Sequence, residues 1–256
     1  MLLAIDIGNS NTVIGLFQGE ELLQHWRLHT NRQCTADEIV VALHTLFAIA
    51  GRHLEGLRGV IVASVVPQMH TSWLAVATKM VTRPIFVDHQ TVTWLRILTD
   101  NPAEVGVDRV VNAVAGLHRY RQDLIIVDFG TAITFDCVSS QGDFLGGAIV
   151  PGMGISIEAL ASRTAKLPRI DIVGPPPPVI ATNTVTAIQS GVLYGYGGLV
   201  EGLIGRLKER FAPSCPRVVA TGGMARLIAP YAPSLEVIDQ QLTLEGLRLI
   251  HERCRV

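Results

Sequence analysis

The chain has 256 residues, 21 basic against 22 acidic side chains, and 48% hydrophobic residues, which excludes a largely disordered protein. The formal net charge of −1 and a pI near 6.7 speak against a nucleic-acid partner, since general binders carry a basic surplus. Only 17% of residues are charged and the mean hydropathy is +0.36, so the chain buries a large interior or hides surface in an oligomer. No apolar run reaches the roughly 18 residues of a membrane span, and the start lacks the basic region and cleavage site of a signal peptide. No membrane partner is expected, and a cytoplasmic location is.

The elements follow in chain order. Residues 2–5 form an apolar run that ends in Asp6, followed by Ile7, Gly8 and the polar Asn9, Ser10, Asn11 and Thr12; a second apolar stretch covers 13–17 and breaks at 18–20. Thr35 with Glu38 reads as a capping box that opens an amphipathic helix to about Ala50, where Gly51 supplies a stop. The continuous apolar run 59–66, ended by Pro67, suits a central buried strand, and 84–88 a short one. A helix from Asp108 to about Tyr120 closes the first half.

Residues 124–134 then repeat the opening: four apolar residues, Asp128, Phe129, Gly130, Thr131, Ala132, and a Thr six positions after the Asp. Another apolar stretch, 135–138, breaks at 139–143. Strand, tight polar turn, strand, turn, strand thus occurs twice, which implies two similar α/β domains in tandem, residues 1–119 and 120–256, each carrying one phosphate loop; a coincidence of two hairpins is the alternative. Later, 175–178 is a proline loop of extended geometry, 184–211 a helix, and 217–221 a strand that runs into Gly222-Gly223. Cys34, Cys137, Cys215 and Cys254 are scattered, with no CxxC, and no HExxH occurs, which argues for reduced structural thiols and against a zinc enzyme.

Neither a GxxxxGK[ST] loop nor a kinase HRD or DFG set is present. The duplicated turn takes their place as the candidate phosphate binder. Gly8 admits a phosphate close to the backbone, and the short polar residues after it add donors without bulk. A carboxylate beside phosphate needs a cation between them, so Asp6 suggests Mg²⁺, held through water; a plain β-turn would need none of this. The second copy offers Asp128, Gly130 and Thr131 to the other end of the same polyphosphate. Gly222-Gly223 gives a surface free of side chains for a base or ribose, or is simply a helix-entry turn. Asp108 at a helix entry can accept a hydroxyl proton, and Arg109 can bind an anionic group; alternatively Asp108 only caps the helix. Two phosphate hairpins followed by a late Gly-Gly turn resemble the actin, sugar-kinase and Hsp70-type ATPase architecture.

A closer resemblance rests on Asp6-x-Gly8-Asn9-Ser10 with Thr12, Asn101-Pro102 through Gly106-x-Asp108-Arg109, Asp128-Phe129-Gly130-Thr131-Ala132, Gly146-Gly147-Ala148-Ile149-x-Pro151-Gly152, Asn183-Thr184 with 187–191, and Thr221-Gly222-Gly223. In that order these resemble type III pantothenate kinases across nearly the whole chain. The resemblance implies two ribonuclease H-like domains, mixed sheets flanked by helices, with ATP in the cleft between them. It implies ATP-dependent phosphorylation of pantothenate to 4'-phosphopantothenate, the first step toward coenzyme A. It places ATP on Asp6, Ile7, Gly8, Asn9, Ser10, Asn11, Thr12, Val13 and Thr131, and pantothenate on Gly106, Val107, Asp108, Arg109 and Thr184, with Asp108 as proton acceptor. Asp128 takes the position of the ligand for a monovalent cation, K⁺ or NH₄⁺, required beside Mg²⁺.

The chain departs from the family at Val107, where Ala is usual, and at Thr99, where an aromatic residue is common. Both bear on acceptor affinity and leave open a kinase of another small hydroxy acid. A non-catalytic regulator of gene expression is a different class, which intact Asp6, Asp108 and Asp128 argue against. Gly191, Gly195, Gly198, Gly202 and Gly205 fall within one helix, each costing about 1 kcal/mol relative to Ala. Another backbone packed close to them, with Tyr194 and Tyr196 beside it, would explain this, and the family resemblance points to a homodimer.

Overall fold

The computed structural model describes residues 1–172 and 176–255. The first half runs β1 (Leu2–Ile7), β2 (Asn11–Gln18), β3 (Glu21–His29), α1 (Ala36–Ile49), β4 (Gly59–Ser64), α2 (His70–Met80), β5 (Ile85–Phe86), β6 (Arg96–Ile97) and α3 (Val107–Tyr120). The second runs β7 (Leu124–Phe129), β8 (Ala132–Val138), β9 (Asp143–Pro151), α4 (Met153–Arg163), α5 (Thr184–Phe211), β10 (Arg217–Thr221), α6 (Ala225–Ile228), β11 (Val237–Ile238) and α7 (Leu242–Cys254).

Local signals set several of these boundaries. Glu38 N–H donates to Thr35 Oγ1 at 3.3 Å while Thr35 N–H donates to Glu38 Oε2 at 2.7 Å, so the capping box opens α1. Gly51, at φ +64°, takes the left-handed position past its end. Asn183 caps α5, its Oδ1 accepting from Thr186 N–H at 3.0 Å. Pro175 lies outside the described residues; further along that loop Pro177 is buried, its carbonyl accepting from the Tyr194 hydroxyl at 3.1 Å. Cys34, Cys137, Cys215 and Cys254 are free. Among the described residues no helix is long and apolar enough to cross a membrane.

Two compact units result: Met1–Arg119 with Gln241–Val256, and Tyr120–Gln240. In the first, the strands lie in the order β3-β2-β1-β4-β5. β1 is antiparallel to β2 and parallel to β4. Its alternate residues Leu3, Ile5 and Ile7 pack with Ile39, Leu43 and Phe47 of α1 and with Trp73 and Val76 of α2. In the second, the order is β11-β10-β7-β8-β9, with β7 antiparallel to β8 and parallel to β10. Ile125, Val127 and Phe129 pack with Leu193, Val200 and Ile204 of α5. Both are mixed sheets flanked by helices.

The sequence boundary assigns residues 120–256 to the second domain, whereas the structure puts the terminal helix with the first unit. α7 packs on β1, β2 and β4, and two glycines admit it. A Cβ on Gly15 would stand 2.9 Å from Leu244 Cδ1, and one on Gly59 2.2 Å from His251 Nε2. The buried Arg248 is satisfied within α7, its guanidinium bonding Glu245 at 2.6 and 2.9 Å and Glu252 at 2.6 Å.

The glycines of α5 divide between two faces. A Cβ on Gly191, Gly195, Gly198 or Gly205 would meet nothing within 4 Å, so among the described residues no backbone packs against them. The close approach is made by Gly197, whose Cβ would come within 2.4 Å of the Tyr231 carbonyl oxygen. Tyr194 packs edge-on against Tyr231 at 5.1 Å, and Tyr196 reaches Ser156 and the Pro151 carbonyl at 2.6 and 2.9 Å.

His251 gives the first unit a pH signature. It is 5% exposed, and burial, assisted by Arg255, lowers its pKa from 6.5 to about 4. Its contribution to stability is whole above 6.5 and is lost as the pH falls through that window toward 4, because the unfolded chain takes up the proton first. Urea midpoints measured across the window should fall less steeply in His251→Gln than in the parent.

Candidate active site

In each unit the hairpin after the central strand carries the candidate residues. Asp6 and Asp128 are both penultimate in their strands and both half-buried. The pairing registers then diverge. Ile7 lies opposite Thr12 and Phe129 opposite Ile133, so the second hairpin is shorter. Thr134, which the repeat aligns with Thr12, lies opposite Asp128 instead and donates to Asp136 Oδ2 at 3.1 Å. The duplicated turns are therefore similar in position but different in shape.

In the first hairpin Gly8 N–H donates to the Asn11 carbonyl at 3.0 Å. The turn is held from outside by Thr30, the residue after β3. Thr30 N–H donates to the Ser10 carbonyl at 3.0 Å. Its hydroxyl donates to the Gly8 carbonyl at 2.8 Å and lies 3.0 Å from Thr12 Oγ1. Thr30 and Thr12 are buried; Asn9 and Asn11 are exposed, and Gly8, Ser10 and Val13 half-buried. Ile7 is buried in the core, so its side chain is turned away from solvent at the hairpin.

The second hairpin is held in the same way. Gly152, the residue after β9, donates its N–H to the Thr131 carbonyl at 3.0 Å, and Gly130 N–H donates to the Ala132 carbonyl at 3.1 Å. A Cβ on Gly152 would stand 2.3 Å from Thr131 O, so only glycine closes this latch. Gly222, at φ +87°, follows Thr221, which pairs with Asp128. A Cβ there would meet Asp128 Oδ1 at 2.5 Å and Phe129 backbone at 2.7 Å. Asp128, Gly130, Thr131, Gly152 and Gly222 are thus brought together, and Gly223, exposed, follows.

Asp108 sits in the first turn of α3 beside Gly106, half-buried. Its Oδ1 accepts from Arg109 N–H at 2.8 Å and lies 2.5 Å from where a Gly106 Cβ would be. Burial pushes its carboxyl above the usual carboxylate range, against the opposing pull of the Arg109 amide and charge. Val107 and Arg109 are half-buried with it. Thr99 Oγ1 is buried and finds no hydrogen-bond partner among the described residues. Thr184 opens α5 and lines a cavity of about 650 Å³ with Leu160, Leu167, Asn183, Ile188, Gly191 and Val192; Gly106, Val107, Asp108 and Arg109 do not line it.

Thr30 and Gly152 as loop latches are the positioning residues that reading the sequence misses. Thr30 has no motif around it, and Gly152 appears in one without a role attached. Among the described residues no group of three His, Cys, Asp or Glu could hold a metal unaided. Asp6 and Asp128 nevertheless offer the oxygen donors that hard cations take, and such a cation would complete its shell with ligand and water oxygens.

The chain matches a family model described as type III pantothenate kinase over residues 2–206. Type III pantothenate kinases of Geobacter sulfurreducens and Pelobacter propionicus are 48% and 47% identical to it over 256 residues, all of both chains. Among solved structures, a Campylobacter jejuni protein assigned to the Baf family of transcriptional activators aligns with TM-score 0.63 at 19% identity, covering 99% of this chain and 100% of that one. An ATP-glucomannokinase from Arthrobacter aligns at 0.51 and 15%, covering 99% and 98%. At those identities they show a shared fold and nothing of activity.

The Thr30 latch has a measurable worth. Thr30→Val removes the donor to a half-buried carbonyl and should cost about 1–2 kcal/mol of unfolding free energy, read from chemical denaturation, whereas Thr30→Ser should keep most of it.

Proposed function

The chain belongs to the type III pantothenate kinase family, and from that premise we propose that it moves the γ-phosphoryl group of ATP onto the hydroxyl of pantothenate, giving 4'-phosphopantothenate and ADP. The hydroxyl oxygen bonds to the γ-phosphorus as the bond from that phosphorus to the β–γ bridging oxygen breaks, and the hydroxyl proton passes to Asp108. The observation that carries this reading is the Gly106–Asp108 contact. A glycine alone lets the carboxylate fold back onto its own helix start, where half-burial raises its basicity. In phosphoryl transfer such a group chiefly orients the nucleophile, while positioning and charge supply most of the rate.

The latched turn at Asp6 to Val13 is read as the first ATP loop, and Thr131 with Gly222 and Gly223 as the second set of ATP contacts. Backbone amides fixed by Thr30 and Gly152 would meet phosphate oxygens without reorganising. Mg²⁺ near Asp6 and a monovalent cation, K⁺ or NH₄⁺, at Asp128 would neutralise phosphate charge; the donors at both positions are carboxylate oxygens, which suit such ions. Gly106, Val107, Arg109 and Thr184 are assigned to pantothenate, with Arg109 facing its carboxylate. A cytoplasmic homodimer completes the reading. Gly191, Gly195, Gly198, Gly202 and Gly205, spaced by four and three, share one face of α5, and most have open space where a side chain would be. Light scattering should give twice the chain mass.

ADP release with ATP, Mg²⁺, K⁺ and pantothenate, against a control without pantothenate, tests the reaction; a panel of other hydroxy acids tests whether Thr99 and Val107 have altered the acceptor. Asp108→Asn should lose about 10²–10⁴-fold in turnover while still binding ATP in calorimetry. Because Asp108 acts unprotonated and its pKa is raised, the acid limb of kcat/KM should lie above the ordinary carboxylate value near 4. Replacing K⁺ and NH₄⁺ by Na⁺ alone should abolish turnover, and unchanged rates would remove the cation role from Asp128.

A further inference from the structure

The Thr30 latch fixes more than the turn it bonds. Past Thr30 the chain makes a tight turn, with Cys34 N–H donating to the Asn31 carbonyl at 3.1 Å and Gln33 N–H to Asn31 Oδ1 at 3.1 Å. The capping box of α1 begins directly after it. Arg32 therefore projects from a backbone anchored on both sides. Its Nη2 donates to Asn9 Oδ1 at 3.1 Å, at the tip of the first phosphate loop, and both side chains are exposed.

The electrostatics of that loop lack a cation. Gly8, Asn9, Ser10, Asn11 and Thr12 include neither Lys nor Arg, and Asp6 adds negative charge at the base. Backbone amides contribute only partial charges, and the lysine that a GxxxxGK[ST] loop would supply is absent. A guanidinium carries five N–H donors, of which the bond to Asn9 uses one. Its planar fork fits two phosphate oxygens at once. Asn9, exposed and small, holds the fork at the loop without burying it.

We infer that Arg32 is a phosphate-contacting residue of the nucleotide site, held over the first loop by Asn9 and binding the polyphosphate of ATP with its remaining donors. The inference rests on reading that loop as the ATP loop. It assigns Arg32 to nucleotide affinity and not to acceptor affinity.

The test uses the full chain and four variants, Arg32→Ala, Arg32→Lys, Asn9→Ala and the Arg32→Ala/Asn9→Ala double. Thermal melts should confirm that each folds. Arg32→Ala should raise both the calorimetric Kd and the KM for ATP about 10- to 100-fold, the worth of a charge-assisted bond formed on binding, and leave the KM for pantothenate unchanged. It should also flatten the salt dependence of ATP affinity, and Arg32→Lys should recover part of the loss. Adding Arg32→Ala to Asn9→Ala should still weaken ATP binding. Unchanged ATP affinity in Arg32→Ala overturns the inference, as does an effect that vanishes in the Asn9→Ala background, which would leave Arg32 only orienting Asn9. If the parent phosphorylates pantothenate yet ignores Arg32, this inference alone fails. If it binds ATP through Arg32 but transfers nothing to pantothenate, the functional reading fails and this one stands. A parent that binds no ATP ends both.

Discussion

Each unit is organised by a central strand hydrogen-bonded on both edges, antiparallel on one side and parallel on the other. β1 lies between β2 and β4, and β7 between β8 and β10. Such a strand cannot slip without moving every apolar residue to the wrong face, so its end is among the best-fixed points of the sheet. Asp6 and Asp128 occupy the penultimate positions of those strands. Their burial costs are limited because each stands near the end of its strand, half-exposed, where water or a cation can reach it. The chain then turns back, and the residue after the third strand, Thr30 or Gly152, bonds the turn from above. One closure has thus been reached by different chemistry: a hydroxyl and an amide in the first unit, an amide alone in the second, where even a methyl group would collide.

Much of this was legible locally. The Thr35–Glu38 box, the span of α5 and the strand ahead of Gly222 depend on neighbours a few residues apart, and there sequence and structure agree closely. The repeated Asp-x-Gly turn was legible for the same reason. The difference in hairpin length was not, because identical spacing from Asp to Thr hides which residue pairs with which. Nor was the place of α7. Its partners Gly15 and Gly59 are more than 180 residues away along the chain, and only the fit of Leu244 and His251 against them reveals it. The α5 glycines show the limit in another form: glycine marks close approach, but composition does not say whose backbone approaches. Gly197 meets Tyr231 of its own chain, whereas Gly191, Gly195, Gly198 and Gly205 on the neighbouring face meet none of the described residues.

The candidate site divides by the kind of atom that does the recognising. On the proposed nucleotide side the groups are mainly main chain: the turn at Gly8, the Thr131 segment under Gly152, and Gly222 at positive φ against Asp128. A phosphate bound this way is sensitive to backbone placement and tolerant of side-chain identity, which is why small residues dominate and why the latches carry so much of the geometry. On the proposed acceptor side the groups are side chains on or beside α3: Asp108, Arg109, Val107 and the Thr99 hydroxyl, which finds no hydrogen-bond partner among the described residues. Val107 and Thr99 lie outside both turns and carry no part of the proposed proton transfer. In the proposed reading, departures from the family pattern at Thr99 and Val107 fall where acceptor recognition can drift while phosphoryl-transfer geometry stays fixed. Gly106 is different, since a side chain there would displace the Asp108 carboxylate itself, and with it the single group proposed to serve both acceptor and chemistry.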